Sequence, residues 1–471
     1  MRGFLRFGRN RQILCPQIGT VASLTLALTA TLQAQTVGAT VSSSDARAAT
    51  HLTMSSAVRM ALAHNRHLTL AHLSVDDAEQ QERLAKAKYY PLIHNNSLVS
   101  YITELQGITI PAGSLANGGP AGSVPTSPIR LAQGANTTYA SLTELAQPIT
   151  QAFKIHEGVK AAHAELESAQ IASRDAENGV ALQVHQLYYA VLIEQTNASA
   201  LQHAMDAAAV VEQETKRGVD EGHLLPDVEL GTRTDFLSKK QAMLVSKLKL
   251  DDLMLQFDSV IGLPLGTRLI LDETDPAAPQ NLPNRDEAIA QILEASPTVL
   301  QARQTVEKAK AGVAAAKDAY IPNITGVAHY DYQSGLPFLL HNFGTFGGSV
   351  SYDLFDGGAR EASLKDARIK LSLATTQLQQ AEDDVRIQLA AAYDQIEELQ
   401  ALVEVSREAV AARQETLRIQ KQRVQEQAAL PSGVASSDAA LAQAQMGFLS
   451  ARLNLYLAHD NVARLLGRSP Q

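Results

Sequence analysis

Residues 359–427 read AREASLKDARIKLSLATTQLQQAEDDVRIQLAAAYDQIEELQALVEVSREAVAARQETLRIQKQRVQEQ. The stretch holds no Gly and no Pro, and Tyr393 is its only aromatic residue, so nothing in it interrupts a helix. At about 1.5 Å per residue such a helix is roughly 100 Å long, several times the width of an ordinary domain. Leu364, Leu371, Leu378, Val385, Ala392 and Leu399 recur every seventh residue, the spacing that keeps an apolar seam against a partner helix. A helix of this length needs neighbours along all of it. Taken alone, the stretch fits a rod-like coiled coil.

The rest of the chain bounds what the rod is attached to. With 471 residues, 45% of them hydrophobic and 19% charged, the chain is too apolar for disorder and too polar for a bundle of membrane helices. No run of about 18 apolar residues occurs, so any membrane span has to be a β-barrel. A net charge of -9 with dispersed Lys and Arg argues against a nucleic-acid partner. Arg2, Arg6, Arg9 and Arg11, the apolar run Ile18 to Leu32 and small residues up to Ala34 predict an export signal over 1–34. The single cysteine, Cys15, is expected to leave with it, so the exported chain has no thiol chemistry. Residues 35–52 read as a linker.

The chain is internally repeated. Ala71, Val75, Ala78, Lys86, Tyr89 and Pro91 match Ala302, Val306, Ala309, Lys317, Tyr320 and Pro322 at an offset of 231. Tyr188, Pro226, Leu250 and Gly262 match Tyr393, Pro431, Leu455 and Gly467 at an offset of 205. One repeat is therefore expected over 53–262 and a second over 285–471, joined by a Pro-rich linker at 263–284. In each, an opening helix, from a Thr53 N-cap to Pro91 in the first, precedes a long hairpin of two helices, 151–262 and 359–467. The fall in offset gives the first copy 26 more residues between Asn95 and Tyr139, and this Gly-, Pro- and Ser-rich surplus reads as a loop. Beside it, and at the matching place in copy two, the pattern becomes extended. Strands are predicted at about 93–103, 137–147, 323–332 and 345–355, each near the length a tilted barrel strand needs.

Four strands cannot close a barrel with an interior, and an open edge in lipid leaves backbone groups unsatisfied. Several chains must then share one barrel, which the long helices continue as a tube. At this point the sequence resembles the TolC-like outer-membrane efflux channel family over nearly all of its exported length. The resemblance is carried by the repeat, by the junctions Tyr89-Tyr90-Pro91 and Tyr320-Ile321-Pro322, and by Leu354-Phe355-Asp356-Gly357-Gly358. It implies a mainly α fold with a β-barrel part: duplicated coiled-coil hairpins forming a periplasmic α-barrel, and four strands per chain in a twelve-stranded barrel shared by a homotrimer in outer-membrane lipid. It also implies a passive conduit for efflux or type I secretion, docked to a periplasmic adaptor and an inner-membrane pump of RND, ABC or MFS type.

No residues are arranged for catalysis, and neither enzyme activity nor a cofactor is expected. His64, His67 and His72 lie close together on one predicted helix, where surface histidines are the simpler reading than a metal site. Asp76-Asp77 and Asp383-Asp384 fit solvated helix faces. Function is expected at the hairpin tips. The family's tip turn resembles Gly222 followed by Asp227-Val228, with acids of the inner helices ringing the constriction. In copy two Gln427 stands at the Gly position and Ser432-Gly433 at the Asp-Val position, and the acids there are Glu426 and Asp438. Asp227 and Asp438 are thus candidates both for capping the returning helices and for an acidic ring that prefers cations. A coiled-coil scaffold without a pore is the alternative, but it leaves the paired strand regions between the helices unexplained.

Overall fold

The computed structural model describes residues 50–104, 108–113, 127–131, 135–272, 282–335 and 340–469. The expected signal and most of the 35–52 linker lie outside these residues, as do 114–126 in the Gly-, Pro- and Ser-rich loop.

The described chain opens with β1 (Thr50–Leu52), α1 (Met54–His64) and α2 (Arg66–Ala87), then β2 (Leu92–Tyr101), a small ribbon of β3 (Ile108–Ile110) and β4 (Ile129–Leu131), and β5 (Thr137–Pro148). The first hairpin is α3 (Gln151–Asp220) and α4 (Pro226–Ile261), followed by β6 (Leu269–Leu271). The pattern then recurs as α5 (Arg285–Ala295), α6 (Pro297–Asp318), β7 (Asn323–Ser334), β8 (Asn342–Ser351), α7 (Ala359–Gln425) and α8 (Pro431–Leu465). Matched helices have nearly equal lengths: α3 and α7 are 70 and 67 residues, α4 and α8 are 36 and 35.

Thr53 caps α1 as its position suggests, its Oγ1 accepting from the Ser56 N–H at 3.3 Å. The opening helix is not continuous, however. Asn65 is extended between α1 and α2, its Oδ1 accepting from the His67 N–H at 2.8 Å and its Nδ2 donating to the Val260 carbonyl at 3.0 Å. A side chain that ties down a neighbouring helix end and starts a new helix outweighs the helical pattern around it. Ser296 makes the corresponding break in copy two, ahead of Pro297. Both linkers also contribute structure: β1 pairs in parallel with β6, Leu52 opposite Leu271. The Tyr188 hydroxyl lies 3.0 Å from the Leu52 carbonyl and 2.9 Å from that of Asp272, pinning this bridge to α3. Burial pushes the Tyr188 phenol up to about 12.

β2, β5, β7 and β8 form one antiparallel sheet in that order, with β2 and β8 as its edges. β8 ends at Ser351, short of the 355 expected. Arg360 takes over there: its guanidinium sits 4.8 Å from the centre of the Tyr352 ring, donates to the Asp353 carbonyl, and holds the Asp356 carboxylate at 2.7 Å. These bonds hold the Asp356 carboxyl down at about 2.

The core lies where helices cross between the sheet and the tips. α3 is its axis, packed on α2 and α4 on the first repeat's side and on α6 and α8 on the second's. Its buried stretch Val180, Val184, Tyr188 and Val191 meets Phe257 and Ile261 of α4 and Leu453 of α8. The seam of α7 is turned inward as its period requires, with Val385 and Ala392 buried and Leu364, Leu371, Leu378 and Leu399 half-buried. Two glycines close the repeats. Gly262 and Gly467 are left-handed, and an added Cβ would lie 2.6 Å from His64 Cβ and 2.7 Å from the Ala295 carbonyl oxygen, respectively.

Candidate aperture at the helical tips

Each long helix ends in the same hydrogen-bonded turn. At the first tip, the Gly222 N–H donates to the Val219 carbonyl at 2.9 Å and the His223 N–H to Gly218 at 2.8 Å. At the second, the Gln427 N–H donates to Val424 at 3.1 Å and the Ala428 N–H to Arg423 at 2.8 Å. This is the Schellman arrangement, which puts one residue in the left-handed region. That residue is Gly222 (φ 74°) in the first tip and Gln427 (φ 57°) in the second. Gln427 is the one non-glycine residue with positive φ among the described residues. A second exchange accompanies it. A Cβ on Gly218 would lie 2.8 Å from Leu224 Cδ1, whereas the second tip has Arg423 and Ala429 at those positions.

The returning helices start at Pro226 and Pro431, with Leu225 and Leu430 as N-caps that make no side-chain cap bond. Asp227 is therefore not the cap. It sits one residue inside α4, exposed, with Glu229 in the same turn, and acts on that helix end through charge alone. Ser432 contributes its backbone: its N–H donates at 3.0 Å to Oε1 of Glu214 on α3. Glu214, which no motif or period marks, thus serves the start of α8 from the other repeat. Glu426 is the C-cap of α7, its Oε1 accepting from Gln422 Nε2 at 3.0 Å.

Asp438 is not at the turn. It lies in the third turn of α8, and its Oδ2 is 2.8 Å from His203 Nδ1 on α3. It belongs to a polar seam joining the two hairpins. Along that seam His185 Nδ1 meets Asp460 Oδ2 at 2.6 Å, Arg464 Nη2 meets Asp175 Oδ1 at 3.2 Å, and Asn178 donates to the Gly467 carbonyl at 3.5 Å. The seam within the first hairpin centres on Glu194, only 3% exposed. Its carboxylate accepts from Ser246 Oγ at 2.5 Å, Lys249 Nζ at 2.7 Å and Asn197 Nδ2 at 2.9 Å. Burial pushes the Glu194 carboxyl up, but Lys249, Ser246 and Asn197 outweigh it and leave it below the usual range.

The three neighbouring histidines of the first repeat do not share one helix: Asn65 leaves His64 on α1 and His67 and His72 on α2. His64 Nδ1 lies 3.1 Å from the Met60 carbonyl, the His67 N–H bonds to Asn65, and His72 Nδ1 lies 3.4 Å from Ser173 Oγ.

Comparison with known proteins bears on this geometry. Residues 288–468 match the family described as Outer membrane efflux protein. Outer membrane efflux protein BepC of Brucella suis biovar 1 (strain 1330) is 27% identical over 148 residues, covering 30% of this chain and 32% of BepC. The match thus spans about a third of the length of that curated relative. Among solved structures, the outer membrane protein VceC of Vibrio cholerae superposes with a TM-score of 0.68 at 16% identity, over 89% of this chain and 97% of VceC. The open state of the Neisseria gonorrhoeae MtrE outer membrane channel gives 0.68 at 17% identity, over 89% of each chain. The outer-membrane channel OprN gives 0.70 at 15% identity, over 88% and 89%. These likenesses show that the described residues share the fold of these outer-membrane channel structures.

Proposed function

Because its second repeat matches the outer membrane efflux protein family and its described residues have the TolC-like channel fold, we propose that this chain forms the outer-membrane conduit of a tripartite efflux or secretion system. Three copies close a twelve-stranded barrel and continue it as a helical tube into the periplasm. The tube docks on a periplasmic adaptor and an inner-membrane pump, which supplies the energy.

One observation carries this reading: the chain is left open at both sides. Among the described residues β2 pairs only with β5 and β8 only with β7, so each edge strand offers a row of unsatisfied backbone groups costing several kcal/mol apiece in lipid. The helices below are open in the same sense. On α4, Leu230, Leu237 and Leu244 are exposed seven residues apart; on α7, Leu373, Ile387 and Val405 are exposed. Edges of unlike composition on opposite sides fit a head-to-tail ring, which closes without a free edge. The added loop leaves the sheet between β2 and β5, at the end away from the helices, which fits an extracellular position.

At the periplasmic end we assign the constriction to the tip turns, with Gly222, Asp227, Glu426 and Ser432 at or beside it and Asp227 as its acid. Asp438 is assigned to the seam behind it.

The test is the assembled protein. Extracted unheated from outer membranes, it should migrate as a trimer that heat converts to monomer, and it should give stepwise conductance in planar bilayers. A soluble monomer without conductance refutes the proposal and leaves a poreless scaffold.

A further inference from the structure

The strand register brings together three residues that the sequence keeps far apart. Glu144 on β5 is the direct partner of His94 on β2 and of His329 on β7. Direct cross-strand neighbours have Cβ atoms about 4.5–5.5 Å apart, so the three side chains form one row on one face. Asp331 lies two residues further along β7 on that same face, and β8 continues the row with uncharged Thr345. His94, Glu144, His329 and Asp331 are all the Asp, Glu, Lys, Arg and His residues of the four strands, and all share this face. The other face presents Ile93, Val99, Tyr330, Phe346 and Val350, all exposed and all without charge. Its polar Asn95, Ser97, Ser141 and Thr143 bond to one another. A charged side chain facing lipid near the midplane is destabilising, by about 2–4 kcal/mol for Lys or Arg and less for Asp or Glu, so the charged face is the one that looks into the barrel. Glu144 stands four residues before Pro148, which puts the row about 13 Å from the start of the helical tube.

We propose that His94, Glu144 and His329, with Asp331 beside them, are a proton-titrated selectivity belt in the barrel lumen, one that favours small cations when the histidines are neutral. The proposal rests on the channel reading above. Each chain contributes two carboxylates and two imidazoles to the belt. Histidine is the side chain whose charge is most readily switched near neutral pH, and protonating both imidazoles sets two positive charges per chain against two negative ones. The belt then passes from anionic to near neutral, and the preference for cations fades. Its field reaches about 30 Å at 0.01 M salt and about 3 Å at 1 M, so the effect is confined to dilute electrolyte. His223, exposed in the first tip turn 4.0 Å from Glu221, is the competing imidazole at the aperture, and a His223→Gln channel should keep the pH response if the belt carries it.

Reversal potentials in planar bilayers under a dilute KCl gradient test the belt. For the wild-type channel the potassium-to-chloride permeability ratio should fall about two-fold or more between pH 8 and 5. In a His94→Gln, His329→Gln channel the ratio should stay flat, and Glu144→Gln should lower it already at pH 8. Either single histidine variant should keep part of the response, a second check should the double variant not assemble. Conducting channels whose pH response is the same with and without the histidines overturn the belt while leaving the channel reading intact. A wild-type protein that assembles but gives no conductance overturns both.

Discussion

Gln427 occupies a position where its own repeat partner is glycine, and replacing it by glycine should tighten the second tip. Both turns carry the same pair of Schellman hydrogen bonds, so the substitution changes no bonding pattern. At Gly222, the equivalent site, a Cβ meets nothing within 4 Å, so the penalty at this position is conformational rather than steric crowding. A side chain held left-handed costs about 1–2 kcal/mol. Glycine gives back about 0.4–1 kcal/mol through the greater freedom of its open state. The net gain for Gln427→Gly is then about 0.5–1 kcal/mol, a roughly two- to five-fold lower opening equilibrium of the turn. Hydrogen exchange on the detergent-solubilised protein reads this at the amides of Glu426, Gln427 and Ala428, whose acceptors are the carbonyls of Gln422, Val424 and Arg423. Gly222→Gln should shift the first tip by a similar amount in the opposite direction. Unchanged protection in both variants, or faster exchange in Gln427→Gly, refutes the reasoning.

Gly262→Ala should destabilise the junction of α1 and α4 by more than the roughly 1 kcal/mol of a left-handed alanine, because its Cβ also meets His64 at 2.6 Å; thermal melts set against Gly222→Ala, which meets nothing within 4 Å, separate the two effects. Ser246→Ala should cost about 1.5–3 kcal/mol by removing a buried hydrogen bond to a carboxylate, measured by denaturant unfolding of the hairpin. The Glu194 carboxyl is lowered in the folded state, so its stabilisation is present above the unfolded value near 4.5 and is lost as pH falls through the folded one. A Glu194→Gln protein should lack this acid-side loss, and an unchanged acid limb in its melts speaks against the network. Asp227→Ala should reduce cation preference equally at pH 5 and 8, whereas Asp438→Ala should leave selectivity unchanged and loosen the seam to His203. The reverse result in reversal-potential measurements removes Asp227 from the aperture.

The repeat, the helices, the seam facing of α7 and the tip turns were legible along the chain because each is a local or periodic property. A seven-residue period decides which face of a helix is apolar, whatever it packs against, and proline and glycine mark turns through their own torsions. Asn65 shows where that reading fails locally: a side chain bonded to the end of α4 breaks a helix that the pattern continues. The capping role expected of Asp227 and Asp438 fails because Leu225 and Leu430 hold the cap positions, while the start of α8 is served by Glu214 of α3 and Asp438 pairs with His203. The parallel bridge of Thr50–Leu52 with Leu269–Leu271 joins segments more than 200 residues apart and is too short for any pattern to reveal. The row of His94, Glu144 and His329 exists only through strand register, in which a slip of one residue would send each strand's side chains to the opposite face. Local torsion and apolar period are written into neighbouring residues, whereas register and partner choice are set by how whole elements pack together, and it is those that place the charges of this chain.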